Sequence, residues 1–171
     1  MAEPVIITVL DKALIPQAAG LLSRAFNEAA EVFKGELEQT LSDNPWKPVV
    51  FAAMQAGKLV GVIECDTGPD FKARNIFAFS KLAIDPAARG QGIGQQLVKQ
   101  AEAFIAHEWM EDKPGTLAII DGTKVDNPNS RFYEKMDYKP DTPVVLRDGQ
   151  PVLKKRLNEK PLRRNNIASF D

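Results

Sequence analysis

The spacing of apolar residues in the first part of the chain predicts one strand followed by two helices. Residues 5–10 form an apolar run rich in β-branched side chains, which is typical of a buried strand. Apolar side chains then recur every three or four residues over 15–26 and again over 33–41, a period that indicates helices. Pro45 ends the second helix, because proline disfavours helical geometry in the residue before it.

The middle of the chain predicts three strands and a longer helix. Apolar runs at 49–54 and 59–65 flank a short turn that contains Gly57, as in a β-hairpin. Residues 76–84 form a long apolar strand, and a glycine-rich segment follows it. Apolar positions from 97 to 105 then recur on one face of a helix.

The last part of the chain predicts a strand, a short helix and a hairpin. Residues 117–120 are all apolar, which is typical of the middle of a sheet. A short helix runs through residues 132–136, and the runs 144–146 and 152–157 flank an Asp-Gly turn. The apolar pattern is lost after residue 157.

These elements predict one domain over residues 1–157 and a polar tail over 158–171. The fold class is α+β. We expect a mixed, mostly antiparallel sheet of about six to seven strands flanked by about four helices.

Composition narrows the class of protein. The 171 residues are 44% hydrophobic and 26% charged, as in an ordinary globular domain. A net charge of −1 argues against a protein that wraps nucleic acid non-specifically. One histidine and one cysteine offer neither an internal disulfide nor a transition-metal cluster. With no signal-peptide pattern and no apolar stretch of the ~20 residues that span a membrane, we expect a cytoplasmic protein without membrane or nucleic-acid partners.

The segment Arg89-Gly90-Gln91-Gly92-Ile93-Gly94 carries the strongest chemical signal. It joins a strand to a helix, and the first turn of a helix presents unpaired N–H groups that favour an anion such as a phosphate. A Walker loop is excluded because Gln95 and Gln96 stand where Lys and Ser or Thr are needed. The dinucleotide pattern G-x-G-x-x-G also fails, in both possible frames.

Residues 82–94 resemble the acyl-CoA-binding segment of the GNAT N-acetyltransferases, whose core pattern is Q/R-x-x-G-x-G/A; Arg89, Gly92 and Gly94 fit this pattern. Residues 129–138 resemble the second hallmark of that family, a helix ending in F-Y-E-K-x-G-F, with Asp137 in place of the glycine. The element order from about residue 4 to 157 is also similar. The resemblance therefore implies a GNAT-type acyl-CoA N-acyltransferase fold.

The resemblance implies acetyl-CoA as co-substrate and no metal. The main chain of the long strand's last residues would pair with the pantetheine arm like an added strand, and one of its N–H groups would polarise the acetyl carbonyl. The N–H groups of the glycine segment would hold the pyrophosphate. An asparagine before the short helix would contact CoA; the family's usual spacing falls on Asp126, so Asn127 is taken here, with Asn129 as the alternative. The implied cofactor-binding residues are Leu82, Ala83, Ile84, Arg89, Gly90, Gln91, Gly92, Ile93, Gly94, Gln95 and Asn127.

For catalysis the resemblance implies that Tyr133 protonates the leaving thiolate. Asp121, twelve residues earlier, is the candidate general base, with Glu64, bulk water or a backbone carbonyl as alternatives. Some family members place an acid near the position of Ala78, and the strand here has none.

The expected function is transfer of an acetyl group from acetyl-CoA to a small-molecule or peptide amine, by direct attack in a ternary complex. The alternative is a non-catalytic acyl-CoA sensor or partner-docking module. The resemblance also allows a homodimer.

Overall fold

The structure, a computed structural model, describes residues 3–42, 48–66, 76–119, 130–139 and 153–159. These ranges contain six strands and four α-helices, in an order that confirms the predicted succession. The predicted strand 144–146 lies outside the described residues. In chain order the elements are β1 (Val5–Val9), α1 (Ile15–Phe26), α2 (Ala30–Thr40), β2 (Val49–Gln55), β3 (Lys58–Asp66), β4 (Ile76–Ile84), α3 (Ile93–Phe104), β5 (Gly115–Ile119), α4 (Ser130–Glu134) and β6 (Lys154–Leu157).

The six strands form one sheet in sequence order, from β1 at one edge to β6 at the other. Neighbouring strands are antiparallel except β4 and β5, which run parallel. The hairpin between β2 and β3 turns on Ala56 and Gly57, both with positive φ (50° and 74°), as a two-residue turn matched to the twist of a sheet requires. The mixed, mostly antiparallel sheet that the sequence predicted is confirmed.

Helices cover both faces of this sheet, because side chains alternate between its faces along each strand. On β3, Ile63 and Cys65 belong to the core shared with α3, whereas Val62 belongs to the core shared with α1 and α2. Glu64 also follows this alternation to the second face, where it is only 5% exposed. A buried carboxylate therefore lies beneath α1 and α2.

Strand β4 changes its surroundings halfway along. Its residues Ile76–Phe79 pair with Thr116–Ile119 of β5. No pairing with β5 continues past Phe79 among the described residues, whereas β4 stays paired with β3 as far as Ile84. The described part of β5 ends at Ile119, opposite Phe79, so residues 80–84 of β4 have one edge without a partner among the described residues. We call this edge the free edge of β4.

None of the helices in the described part of the chain has the length and apolar character needed to cross a membrane.

Candidate active site

The free edge of β4 begins at a bulge. Val62 of β3 pairs with Ala83, and Glu64 pairs with Ser80, so one residue of β3 lies opposite Lys81 and Leu82. Lys81 takes the left-handed conformation (φ 52°), which few non-glycine residues adopt. A bulge bends its strand and adds twist, and this bulge lies directly before Leu82–Ile84.

A tight turn leads from this edge into α3. The Asp85 carboxylate accepts a hydrogen bond from the Ala87 N–H at 3.0 Å, which caps the short 3₁₀ turn Pro86–Ala88. Gly90 (φ 81°) and Gly92 (φ 76°) then take left-handed conformations, and Gly92 is the N-cap of α3. The first N–H donors of α3 consequently lie at the end of the β4 edge, where the helix dipole favours an anion.

Gly94, in the first turn of α3, allows α4 to pack closely. A Cβ at this position would lie 3.3 Å from the Phe132 ring and 3.8 Å from the Ile84 side chain. The glycine therefore lets the start of α3, the end of β4 and α4 converge on one place.

These elements enclose a cavity of about 600 Å³, a volume usual for a small-molecule site. Ten of the residues predicted from the sequence line it together: Leu82, Ala83, Ile84, Arg89, Gly90, Gly92, Ile93, Gly94, Gln95 and Tyr133. The strand edge, the start of α3 and the apolar walls together suit a ligand that has an anionic group and an arm with amide groups. Backbone N–H donors at the start of α3 suit the anion, and the free edge of β4 suits the amides.

Gln91 alone of the predicted loop residues does not line this cavity. Its side-chain oxygen accepts a hydrogen bond from Gln55 Nε2 at 2.8 Å, and Gln55 also donates to the Glu3 carbonyl at 2.9 Å. Gln91 thus ties the glycine loop to the β2–β3 hairpin.

Tyr133 is 6% exposed and lies among aromatic rings. Its ring centroid is 6.0 Å from that of Phe79 and 6.1 Å from that of Tyr138. Burial raises the pKa of Tyr133 to about 12, so the phenol is protonated at neutral pH and can donate a proton. Among the described residues none accepts a hydrogen bond from its hydroxyl.

The end of α4 holds this tyrosine in place. Tyr138 N–H donates to the Tyr133 carbonyl at 3.1 Å, and Asp137 N–H donates to the Glu134 carbonyl at 3.0 Å. These two bonds, with Asp137 left-handed at φ 70°, form a Schellman helix end. Asp137 therefore takes the conformation that a glycine would, as expected for the residue replacing the family's glycine.

Glu64, the alternative base, is engaged elsewhere. Lys81 Nζ lies 2.9 Å from its Oε2 and 3.3 Å from Glu36 Oε2, and Thr40 Oγ1 donates to its Oε1 at 3.4 Å. Burial alone would lower the pKa of Lys81, but the two carboxylates raise it overall, so this amine stays charged.

Four cavity-lining residues were not predicted: Ala25, Phe26, Ala88 and Phe132. Phe26 lies at the end of α1, 38% exposed, with its ring 6.1 Å from that of Phe33. No sequence signal indicates its place in the cavity wall, because that place depends on how α1 packs over the sheet. The predicted Asp121 and Asn127 lie outside the described residues, and no metal-binding group of acids, histidines or cysteines occurs within the described ranges.

The sequence matches a family model described as "Acetyltransferase (GNAT) domain" over residues 46–140, more than half of the chain. No curated protein matches it significantly.

Solved structures share its fold at low sequence identity. An aminoglycoside 6'-acetyltransferase type Ii superposes with a TM-score of 0.69 at 22% identity, covering 91% of this chain and 99% of its own. An aminoglycoside 6'-N-acetyltransferase complexed with coenzyme A gives 0.69 at 20% identity, with coverages of 91% and 99%. The ribosomal-protein-S18-alanine N-acetyltransferase from Escherichia coli gives 0.65 at 16% identity, with coverages of 94% and 98%.

Proposed function

The chain belongs to the GNAT acetyltransferase family, and from this premise we propose that it transfers an acetyl group from acetyl-CoA to a primary amine. One observation carries the proposal: the free edge of β4, the glycine-capped start of α3 and Tyr133 line a single cavity. Each of these parts has a distinct task in acyl transfer from a thioester, and they meet where those tasks must be performed together.

The residues around the cavity fit coenzyme A. The edge of Leu82–Ile84 that faces away from β3 has no partner in the described part of the chain, and its backbone groups suit the pantetheine amides. The first-turn N–H groups of α3, with the positive end of its dipole, suit a pyrophosphate. Arg89 is exposed beside them and can add a charge-assisted hydrogen bond. A solved structure of similar fold is described as complexed with coenzyme A.

The proposed reaction is direct attack by the amine in a ternary complex. The amine nitrogen forms a bond to the acetyl carbon, the carbon–sulfur bond breaks, and the nitrogen loses one proton. A backbone N–H of the β4 edge donates to the carbonyl oxygen as negative charge develops on it. The Tyr133 hydroxyl gives its proton to the departing thiolate, and the phenol regains one from solvent.

The proton acceptor is proposed to be Asp121 or a water molecule. The part of the cavity wall that the structure describes contains no carboxylate. Glu64 is paired with Lys81, which leaves it poorly suited to take a proton from an incoming amine. Asn127 remains, on resemblance alone, a proposed contact to CoA.

Release of free thiol from acetyl-CoA with a panel of amines tests the proposal. The panel holds polyamines, amino acids, aminoglycosides and peptides with free N-termini. The last two are included because proteins of similar fold are described as an aminoglycoside 6'-N-acetyltransferase and as a ribosomal-protein-S18-alanine N-acetyltransferase. Amine-dependent thiol release, with the acetylated amine found by mass spectrometry, is the expected result.

Tyr133→Phe removes the proposed acid and leaves the ring. We expect turnover to fall about tenfold or more with little change in CoA affinity, because only the leaving group loses its proton source. Tyr138→Phe is the matched control. Its hydroxyl donates to Glu102 Oε1 at 2.8 Å, so its loss should cost about 1 kcal/mol of stability and leave turnover unchanged. Unchanged turnover in Tyr133→Phe would remove this tyrosine from the mechanism.

The absence of a carboxylate from the described cavity wall favours a second candidate, an acyl-CoA sensor without turnover. Tight CoA binding without thiol release across the whole panel would support the sensor and contradict the transferase.

A further inference from the structure

Lys81 lies in the bulge between the two parts of β4. Phe79, two residues earlier, makes the last pairing with β5 among the described residues, and Leu82, one residue later, lines the cavity. The φ of 52° at Lys81 is costly for a residue with a Cβ, so interactions in the surrounding structure must offset that cost. The bulge has no glycine to relieve it.

The lysine side chain supplies such an interaction. Its ammonium lies 2.9 Å from the buried Glu64 carboxylate of β3 and 3.3 Å from Glu36 of α2. Glu64 is 5% exposed, and a buried carboxylate is costly unless a cation and hydrogen bonds compensate it. Of the described residues, Lys81 is the one cation that the structure places against Glu64. Moving Lys81 out of the bulge would strip Glu64 of this partner.

We infer that the Lys81–Glu64 ion pair locks the bulge of β4 in the conformation that presents the free edge of Leu82–Ile84 to the cavity. This inference rests on the proposed function for its catalytic consequence. Lys81 and Glu64 are then positioning residues, since they act through the backbone of their neighbours. Glu36 of α2 also contacts the Lys81 ammonium, so the helix that covers this face of the sheet is connected to the free edge of β4.

The consequence for catalysis follows from geometry. A backbone N–H stabilises a developing oxyanion only when it is held at the correct distance, and a shift of about 1 Å can cost about a hundredfold in rate. Within the described ranges no second strand pairs with this edge. The ion pair therefore holds residues 80–84 in the way that β5 holds residues 76–79.

Paired substitutions separate the effect of the Lys81–Glu64 ion pair from the cost of the left-handed backbone conformation at Lys81. Glu64→Gln with Lys81→Met removes both charges, leaves no buried unpaired ion, and keeps the cost of a Cβ at positive φ. Glu64→Gln with Lys81→Gly also removes both charges but removes that cost, because glycine adopts this conformation freely. Glu102→Gln with Lys155→Met removes a comparably buried strand-to-helix pair (3.2 Å) remote from the bulge.

Two measurements are made on the full chain. Hydrogen exchange by mass spectrometry follows the peptide over residues 76–84, and steady-state kinetics gives kcat with CoA affinity measured separately. For E64Q/K81M we expect exchange to quicken and kcat to fall, each about tenfold, with CoA affinity changed less than about threefold. E64Q/K81G should recover most of the lost protection from exchange and most of the lost kcat. E102Q/K155M should match the wild type in both measurements.

Each outcome decides the inference. Wild-type exchange and kcat in E64Q/K81M would overturn it. Equal losses in E64Q/K81M and E64Q/K81G would also overturn it, because the ammonium itself, and not the bulge, would then be required.

A further variant covers the case in which E64Q/K81M fails to fold. Lys81→Arg keeps the cation and should retain wild-type exchange, and quickened exchange in this variant would contradict the role of the ion pair. If no amine releases thiol, the proposed function fails while hydrogen exchange still tests the lock.

Discussion

The two parts of β4 share one strand but have opposite surroundings. Ile76–Phe79 is paired with β5, is buried throughout, and is also paired with β3 at Ala78 and Phe79. Residues 80–84 are paired with β3 alone among the described residues; they contain a left-handed lysine, and Leu82–Ile84 line the cavity. The first part is fixed by packing that needs no charge, whereas we infer that the second is held by an ion pair. A single strand thus provides both rigidity and the proposed binding edge, and the boundary lies at the bulge.

Shortening a side chain in the first part should have the largest effect on stability. Phe79 is fully buried, and its ring centroid lies 5.7 Å from that of Tyr138. Phe79→Ala should lower the free energy of unfolding by about 3–5 kcal/mol, through lost burial and the cavity left behind. Urea denaturation measures this change.

Leu82→Ala is the corresponding change in the second part. Leu82 is only half-buried and faces the cavity, so we expect a loss of about 1 kcal/mol or less and weaker CoA binding. A loss as large as that of Phe79→Ala would break the comparison, since both parts would then act as core.

Gly92→Ala tests the loop into which the second part leads. Alanine in the left-handed conformation costs roughly 1–2 kcal/mol, and a displaced α3 start should also weaken CoA binding. Gly35→Ala is the matched control, because this helical glycine of α2 has nothing within 4 Å of an added Cβ. It should stabilise the protein by about 0.5–1 kcal/mol and leave CoA binding unchanged, as judged by denaturation and calorimetry. A wild-type affinity in Gly92→Ala would contradict the role of the helix start.

The sequence predicted the glycine loop and the first part of β4 because their signals are local. An apolar run and a set of glycines between a strand and a helix are legible without knowing what lies beside them. The limits of β4 were predicted correctly for this reason.

The bulge at Lys81 could not be predicted in the same way. Nothing in the run Ser80-Lys81-Leu82 marks a left-handed residue, because the conformation depends on Glu64 and Glu36, which are distant in sequence. For the same reason Glu64 was considered as a base, whereas the structure shows it paired with Lys81. Phe26 was missed because its place in the cavity wall depends on how α1 packs over the sheet.

The smallest expected effect is a loss of stability at acid pH through Asp85, the residue that directly follows the second part of β4. The Ala87 N–H lowers the pKa of this carboxyl most, and Lys58 at 3.6 Å and Arg24 lower it further. A carboxyl whose pKa is lower in the folded state contributes stability that is fully present above its ordinary pKa, roughly 4, and is lost as the pH falls below it. Ile76–Phe79 contains no titratable side chain, so the contribution of the first part is independent of pH.

Asp85→Asn isolates this contribution, because its side-chain oxygen can still accept from Ala87 but binds no proton. Between pH ~5 and ~2.5 the free energy of unfolding of the wild type should fall more steeply than that of Asp85→Asn, and above pH ~5 the two should run parallel. Urea denaturation across this range measures the difference. Equal slopes would show that the charged form of Asp85 does not contribute to the stability of the folded protein.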